Sequence, residues 1–361
     1  MNFIVKEHIK NFDKKIYSSF LFGADLGGTN TKIAVAGVKK NNIELIFSLF
    51  FKSSEIINFS YALLECINIA KAKFDINLST GCISAAGVVS ENEKYVSLTN
   101  QKMKINIDEL IKKTGLKSVL LLNDFEAVGY GINLLDFQNE KEIYTIRNNL
   151  KNITYKKTRA VIGAGTGLGK SILVFNEENN FYNPISSEGG HSDFPIYSDF
   201  ERELTSYIKN KRNIIEPLTY DELLSGRGIE IIYQFLREKN PNKITKYTKE
   251  IDATKDKTPL IAQYKNLDET CKEVFNIFTI FYARCAKNFV LDSLAMSGLF
   301  IAGGIAVKNK EIFNSKGFLN EFENVYQYSN YIKKIPIFVI LDENIGLKGA
   351  CFAAMKKLRG L

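Results

Sequence analysis

Two short glycine turns constrain this chain more than any other feature of its sequence. The first is Gly27-Gly28 and the second is Gly165-Thr166-Gly167-Leu168-Gly169. Small apolar and β-branched residues precede and follow both turns. Two strands connected by so tight a glycine turn predict a β-hairpin. The chain therefore carries one such hairpin near the start of each half.

The first turn has the composition of a nucleotide-binding site. Gly27 and Gly28 can adopt backbone angles closed to other residues and let a ligand approach the main chain. Successive N–H groups in such a turn form an anion-binding concavity. Asp25 stands just before it, and a carboxylate repels a phosphate unless a cation lies between them. Residues 25–30 therefore predict a Mg–nucleotide site, with an ordinary tight turn and an exposed aspartate as the alternative.

The second turn differs by one residue from a P-loop, because Ala164 stands where that pattern has glycine. In a P-loop, the lysine and serine open a helix whose N-terminus faces the phosphates. Here residues 171–175 are β-branched and aromatic, and residues 176–180 are typical of a turn. The segment is therefore predicted to return as a strand. We interpret it as a second phosphate-binding turn, the partner of residues 25–30.

Asn123 and Asp124 follow the continuous apolar run 118–122, which is typical of a strand buried on both faces. Ligands of α/β folds bind at the carboxyl ends of such strands. In phosphoryl transfer to a hydroxyl group, an aspartate commonly accepts the hydroxyl proton. Asp124 is therefore a candidate general base. The alternative is that it caps the helix predicted from Phe125, and one residue can do both.

Residues 187–195 form a polar glycine loop with neither helical nor strand periodicity. Glu188 and His191 flank two glycines in it, which brings a carboxylate and an imidazole close together. These groups, with an asparagine amide, match the hydrogen-bonding needs of a polyol. We interpret the loop as a sugar-binding element, although a lone histidine is more often structural.

The composition of the chain argues against several classes of function. The net charge of +8 is spread along the chain without a basic arm, which disfavours nucleic-acid binding. The five cysteines lack framework spacing and only two histidines are present, which predicts free thiols in a reducing compartment and argues against structural zinc. Neither a signal peptide nor an apolar run long enough for a bilayer is found, so a cytoplasmic location is expected.

Strands and helices are predicted to alternate along the chain, which indicates an α/β protein. Its 361 residues are long for one core and suit two packed lobes. Residues 1–19 are predicted to be a polar extension with one helix.

Seven motifs, in order from residue 21 to the end of the chain, together resemble the bacterial-type glucokinase family of the hexokinase, actin and heat-shock-chaperone ATPase superfamily. The motifs are residues 22–30 and 163–169 for the phosphate turns, Leu98-Thr99-Asn100 for a sugar-loop asparagine, 122–127 for the catalytic aspartate, 187–194 for the sugar loop, Leu224-Ser225-Gly226-Arg227-Gly228 for the L-S-G turn, and 301–305 for the adenosine site. Each motif is weak alone, whereas seven in order are specific.

The resemblance implies an ATP-dependent kinase that converts D-glucose to glucose 6-phosphate, the first step of glycolysis. Asp124 would be the general base toward the 6-hydroxyl, and Asp25 would orient Mg²⁺ through water. The implied sugar ligands are Asn100, Asn123, Glu188, His191 and Asp221. The implied ATP contacts are Asp25, Gly27, Gly28, Thr29, Asn30, Gly165, Thr166, Gly167, Gly303 and Gly304.

The resemblance also implies two ribonuclease-H-like (actin-like ATPase) lobes with an active-site cleft between them. The predicted boundaries are an extension at residues 1–20, a small lobe at 21–133 plus 342–361, and a large lobe at 134–341. Glucose and ATP with Mg²⁺ would be the partners, with no tightly bound cofactor, no nucleic acid and no membrane. A homodimer is expected.

Departures from the family pattern leave alternatives open. The family usually has glutamate where this chain has Asp221, with Glu222 beside it, so either carboxylate could contact the sugar. The phosphoryl donor (ATP, ADP or polyphosphate) and the hexose also stay open. The alternatives are a kinase for another hexose or amino sugar and a non-catalytic actin-like ATPase, which has no reason to keep Asn100, Glu188 and His191.

Overall fold

The computed structural model describes residues 2–87, 89–90, 92–98, 104–149 and 156–360. The strands up to residue 123 are β1 (Ile4–Glu7), β2 (Ser19–Leu26), β3 (Asn30–Lys39), β4 (Asn42–Lys52), β5 (Thr80–Ala85), β6 (Tyr95–Ser97), β7 (Lys104–Asn106) and β8 (Ser118–Asn123). The later strands are β9 (Ile143–Arg147), β10 (Arg159–Ala164), β11 (Leu168–Asn176), β12 (Phe181–Ser187), β13 (Leu299–Ala302) and β14 (Ile337–Ile340).

Helices alternate with these strands, so the predicted α/β class is confirmed. The first are α1 (Phe59–Phe74), α2 (Ile107–Thr114), α3 (Asp124–Gly131), α4 (Asp199–Arg212), α5 (Tyr220–Leu223) and α6 (Gly226–Lys239). The others are α7 (Lys246–Ala253), α8 (Thr258–Gln263), α9 (Glu269–Ser293), α10 (Gly304–Lys308), α11 (Lys316–Glu323), α12 (Ser329–Ile332) and α13 (Ile345–Leu358).

The chain divides into two compact units. The first comprises Met1–Asn139, Leu173–Ser186 and Asp342–Leu361, and the second comprises Glu140–Ile172 and Ser187–Leu341. These units differ from the predicted lobes in three respects. The N-terminal extension belongs to the first unit, the first boundary falls at residue 139 instead of 133, and residues 173–186 join the first unit.

A six-stranded sheet organises the first unit, in the order β1-β4-β3-β2-β5-β8. The predicted hairpin is its β2–β3 pair, in which Asp25 lies opposite Lys32. β5 runs parallel to both β2 and β8, and Ala85 is in register with Leu26 and Asn123. The carboxyl ends of these three strands therefore share one edge of the sheet. Asp25 and Asn123 consequently lie at the same edge, as ligand-binding residues of α/β folds do.

Helix α13 packs against this sheet although it comes from the end of the chain. A Cβ added at Gly23 would lie 2.5 Å from Cys351 Sγ and 2.8 Å from the Cys351 backbone nitrogen. Only glycine allows the strand and the helix to approach so closely. Leu347, Cys351 and Met355 are buried in one apolar cluster with Leu21 of β2. The last helix therefore completes the core of the first unit.

The N-terminal extension forms a strand where a helix was predicted, so that expectation is wrong. β1 pairs antiparallel with β4, with Ile4 opposite Phe50 and Glu7 opposite Phe47. His8 Nε2 lies 2.8 Å from Ser48 Oγ and continues the contact. Only one helical turn, a 3₁₀ segment at Lys14–Ile16, occurs in residues 2–18. The main-chain groups along β4 provide the pairing partner, which the polar composition of the extension did not reveal.

The second sheet has the order β12-β11-β10-β13-β14-β9. β10, β13 and β14 are parallel, and β9 is antiparallel to β14. β10 and β11 form the second predicted hairpin, and Lys170 and Ser171 lie on its returning strand. The P-loop alternative is thereby excluded, because no helix follows the turn. The 25-residue helix α9 supplies much of the buried core of this unit.

The thiols of all five cysteines are free and buried. Among the described residues, no helix combines the length and the apolar character that crossing a membrane requires.

Candidate active site

The first glycine turn is fixed by a serine that follows β4. Gly27 donates its N–H to the carbonyl of Asn30 at 3.0 Å, which closes the turn. Ser53 donates its N–H to the carbonyl of Thr29 at 3.0 Å and its hydroxyl to the carbonyl of Gly27 at 2.8 Å. Gly28, Thr29 and Asn30 are exposed. The turn is therefore rigid at its base and open to a ligand at its tip. Ser53 is a residue that the sequence analysis missed.

Asp25 lies partly buried behind this turn. Ser84 Oγ is 3.5 Å from its Oδ1, at the limit of a hydrogen bond. Lys32 faces it across the hairpin, and Lys32 Nζ donates to the Glu343 carbonyl and to Asn344 Oδ1, each at 3.0 Å. Burial raises the pKa of Asp25, while Lys32 and Ser84 act in the opposite direction. A bound cation would offset the same desolvation, and a carboxylate oxygen is a ligand that suits Mg²⁺.

Asp124 is the first residue of α3, and Asn123 is the N-cap. Asn123 Oδ1 accepts the N–H of Phe125 at 2.9 Å, and its Nδ2 lies 3.4 Å from the carbonyl of Gly87. Asp124 Oδ1 also accepts the Phe125 N–H, at 3.0 Å. The capping role considered for Asp124 therefore belongs to Asn123. The Asp124 carboxylate is partly exposed at a helix N-terminus, where the helix dipole stabilises negative charge.

Glu126, half a turn further along α3, is a second carboxylate of the catalytic motif. Its Oε2 accepts a hydrogen bond from Ser186 Oγ at 2.9 Å. Burial raises the pKa of Glu126, and the Ser186 hydroxyl opposes that shift. The sequence analysis gave this residue no role. The structure shows that it links α3 to the end of β12.

The second glycine turn is closed by a hydrogen bond from the Gly165 N–H to the carbonyl of Gly167 at 2.8 Å. The Gly226 N–H donates to the carbonyl of Gly165 at 3.0 Å, so the L-S-G turn supports it directly. Thr166 is exposed. A Cβ added at Gly165 would have no neighbouring atom within 4 Å. The outer face of this turn therefore has room for a ligand.

Asp221 binds the same turn from its inner side. Leu168 donates its N–H to Asp221 Oδ1 at 2.6 Å, and Arg227 Nη2 donates to Asp221 Oδ2 at 2.9 Å. Asp221 is 6% exposed. Its neighbour Glu222 pairs instead with the guanidinium of Arg212. Both carboxylates named as candidate sugar contacts therefore already have partners within their own unit.

Gly303 and Gly304 follow β13 on the edge of the sheet that carries the second turn, because β13 is parallel to β10. Gly303 has φ +93°, and a Cβ there would lie 2.5 Å from the carbonyl oxygen of Ala164. Only glycine fits that position. A Cβ at Gly304 would meet nothing within 4 Å. This pair therefore offers open main chain beside the second turn.

The predicted sugar loop presents Glu188 and His191 to solvent. Their side chains are 61% and 62% exposed, and His191 Nε2 lies 3.9 Å from Glu188 Oε2. The His191 N–H donates to the carbonyl of Glu188 at 2.9 Å, which closes a single 3₁₀ turn. Gly190 is buried, and a Cβ there would lie 2.0 Å from the carbonyl oxygen of Leu168. The loop is therefore seated against the strand that leaves the second glycine turn.

The structure gathers the predicted residues into two groups, one in each unit. Asp25, the first turn, Asn123 and Asp124 lie along one edge of the first sheet. The second turn, Asp221, the Gly303-Gly304 pair and the Glu188–His191 loop belong to the second unit. Asn100, the remaining predicted sugar ligand, lies outside the described residues.

Comparisons with known proteins identify the family and the fold of this chain. A family model described as Glucokinase matches residues 22–357. The glucokinase of Trichormus variabilis is 30% identical over 356 residues, covering 94% of this chain and 99% of that protein. A Balamuthia mandrillaris glucokinase structure, in complex with glucose, has a TM-score of 0.78 at 20% identity and covers 93% of this chain and 94% of its own. A ROK family glucokinase from Streptomyces griseus, in complex with glucose and AMPPNP, has a TM-score of 0.63 at 16% identity, covering 94% and 100%.

The two sheets, their glycine hairpins and these structural likenesses show the actin-like ATPase fold. The chain belongs to the glucokinase family, and it is therefore an enzyme. The resemblance drawn from seven motifs is thereby confirmed.

Proposed function

We propose that this protein transfers the γ-phosphoryl group of ATP to the 6-hydroxyl of D-glucose, forming glucose 6-phosphate and ADP. The observation that carries the proposal is the pair Glu188 and His191, exposed side by side in a loop seated on the strand that leaves a phosphate-type turn. A non-catalytic ATPase has no need for this pair. Family membership supports the same reaction, as do the glucose and AMPPNP bound by the two structural neighbours.

In the proposed reaction, the bond between the sugar 6-oxygen and the γ-phosphorus forms while the bond from that phosphorus to the leaving oxygen of ADP breaks. The hydroxyl proton passes to the carboxylate of Asp124. Its place at the start of α3 suits this role, because the backbone fixes the carboxylate while leaving it partly exposed. General-base catalysis of this kind is worth about 10²–10⁴-fold in rate.

Mg²⁺ would enter with ATP and be held by Asp25 through water. When bound, it neutralises charge on the β- and γ-phosphates. The main chain at Gly27, Gly28, Gly165 and Gly167 would provide N–H groups to those phosphates. Thr29, Asn30 and Thr166 would complete the two turns, and Gly303 and Gly304 would contact the adenosine.

Glucose would be bound by Asn100, Asn123, Glu188 and His191. The carboxylate accepts from sugar hydroxyls, while the amide and the imidazole can donate as well as accept. The two oxygens of Asp221 accept from Leu168 and Arg227, so its carboxylate supports the second phosphate turn. We assign Asp221 to the second phosphate turn instead of to the sugar.

A coupled assay tests the reaction directly. The purified protein is mixed with Mg-ATP and glucose, and glucose 6-phosphate is followed through its dehydrogenase. We expect glucose-dependent ADP release with matching formation of glucose 6-phosphate. ATP hydrolysis that does not depend on glucose would contradict the proposal and favour the actin-like ATPase. A panel of mannose, fructose and amino sugars, each with ATP, ADP or polyphosphate, tests the remaining choices of acceptor and donor.

The proposal extends to the setting of the reaction. It includes a cytoplasmic first step of glycolysis and a homodimer. Light scattering on the eluting protein measures the oligomeric state, and a monomer mass would remove the dimer from the proposal.

A further inference from the structure

Lys170 is a buried lysine that the proposed reaction does not use. It stands in β11, three residues after Gly167, where a P-loop would direct a lysine toward phosphate. Only 4% of Lys170 is exposed. Its Nζ donates to the carbonyl of Gly189 at 2.8 Å. Its ammonium group is therefore committed to the main chain of the sugar loop.

The surroundings of Lys170 suit a buried ammonium group that lacks a carboxylate partner. Its Nζ lies 5.5 Å from the ring centre of Tyr220 and 5.1 Å from that of Phe289. Aromatic faces at these distances attract a cation. Burial raises the pKa of Cys285 to about 11, and the neighbouring Lys170 opposes that shift. Among the described residues, no carboxylate lies within ion-pair distance of Lys170. The polar neighbours of its ammonium group are therefore the Gly189 carbonyl, at 2.8 Å, and the Cys285 thiol.

The hydrogen bond from Lys170 to the Gly189 carbonyl fixes the segment between Glu188 and His191. The Gly189 carbonyl also accepts from Ser192 Oγ at 2.7 Å, while the Gly189 N–H donates to Ser187 Oγ at 3.1 Å. Ser192 belongs to the loop, and Ser187 is the last residue of β12, so neither serine joins the loop to β11. Lys170 provides the polar contact between the loop and β11, next to the close contact of Gly190 with Leu168.

We propose that Lys170 is a positioning residue for the sugar loop, whose ammonium group holds the Gly189 carbonyl so that Glu188 and His191 are ordered before glucose binds. Because it acts through Gly189, it contacts neither sugar nor phosphate. This inference rests on the proposed function for its kinetic consequence, whereas its structural consequence can be measured without any substrate.

The test uses Lys170→Met, which keeps the unbranched apolar stem and its packing near Tyr220 and Phe289 but has no ammonium group to donate. Hydrogen exchange of residues 187–192 without substrate is expected to be faster in the variant. The KM for glucose is expected to rise by about tenfold, as the loss of a charged hydrogen-bond donor predicts. The KM for ATP is expected to change by less than about twofold.

Lys287→Met is the matched control. Lys287 is also buried in the second unit, but its Nζ pairs with Glu321 at 3.1 Å, away from the loop. We expect it to lower thermal stability without altering loop exchange or the KM for glucose. Should Lys170→Met fail to fold, Lys170→Gln replaces it, since the glutamine donor is one bond shorter and does not reach Gly189.

Three outcomes would overturn the inference. Unchanged loop exchange in Lys170→Met would show that the ammonium does not order the loop. A rise in the KM for ATP alone would show that Lys170 serves the phosphate turn. Equal loop exchange in both lysine variants would reduce its role to general packing. If the wild-type protein fails to phosphorylate glucose, the proposed function is wrong, while the exchange measurement still decides the role of Lys170.

Discussion

Replacing Asp221 with alanine distinguishes between the two roles that its position allows, which are support of the second glycine turn and binding of the sugar. The Leu168 N–H would lose the acceptor that it binds at 2.6 Å in a buried environment, which costs about 1–3 kcal/mol. The loss of the Arg227 pair adds less than about 1 kcal/mol, because the Arg227 side chain is 54% exposed. A total destabilisation of about 1–4 kcal/mol is therefore expected, measured as the free energy of unfolding in urea.

The kinetic effect identifies what Asp221 supports. Since its carboxylate holds the second glycine turn, we expect the KM for ATP to rise by about tenfold, equivalent to about 1.4 kcal/mol. Glucose affinity, measured by calorimetry without nucleotide, should be unchanged. Asp221→Asn is the matched variant, because its amide oxygen still accepts from Leu168, and its KM for ATP should stay near that of the wild type. Weaker glucose binding with an unchanged KM for ATP would refute the reasoning and make Asp221 a sugar ligand.

Three further predictions follow from the described contacts. Asp124→Asn should keep glucose affinity by calorimetry but lose about 10²–10⁴-fold in kcat, and substantial turnover would contradict its role as the base. Gly190→Ala places a Cβ 2.0 Å from the Leu168 carbonyl oxygen, so we expect lower thermal stability and weaker glucose binding, whereas wild-type affinity would show that the loop position is unimportant. Burial raises the pKa of Glu126 above its ordinary 4.5, so the native state binds the proton more tightly and the free energy of unfolding should fall as pH rises from about 4.5 through the higher native value. Glu126→Gln should remove this fall, and parallel pH profiles for the two proteins would contradict the assignment.

The parts of the fold that the sequence predicted depend on local signals. Glycines between two β-type runs determine a hairpin within about fifteen residues, and both hairpins are present. The β-branched run after Lys170 correctly excluded a P-loop helix. The same local reasoning placed Asn123 and Asp124 at the carboxyl end of a strand. The expected burial on both faces was wrong, because β8 is an edge strand in which only Leu121 and Leu122 are buried. Such signals need no knowledge of the rest of the molecule.

The prediction of a helix at the N-terminus was wrong because the structure there depends on long-range strand pairing. Residues 4–7 carry no strong strand signal, and they become a strand because β4 offers backbone groups for pairing some forty residues later. The capping prediction failed for a different reason. Asn123 has extended backbone angles of φ −67° and ψ 150°, so it is the cap, and the helix begins at Asp124, one residue earlier than a cap at Asp124 would require. Boundaries of this kind depend on the backbone, which residue type alone does not fix.

The inward direction of Lys170 has a sequence signal that was overlooked. Alternate residues of a strand share one face, and Leu168 and Lys170 are both buried on β11. A lysine two positions after a buried leucine on a predicted strand should therefore have been considered as a buried group. The sequence could not identify the hydrogen-bond partner of Lys170, because Gly189 lies nineteen residues further along the chain.

The first three residues of β11 contact both the support of the second phosphate turn and the sugar loop. The Leu168 N–H binds Asp221, the Leu168 carbonyl lies against Gly190, and Lys170 binds the Gly189 carbonyl. One short piece of strand thus fixes the phosphate turn on one side and the sugar loop on the other. Each loop is held by a contact of its own, because Asp221 binds the turn and Lys170 binds the sugar loop. The effects of Asp221→Ala on ATP and of Lys170→Met on glucose should therefore be separable although both contacts lie within three residues of one strand.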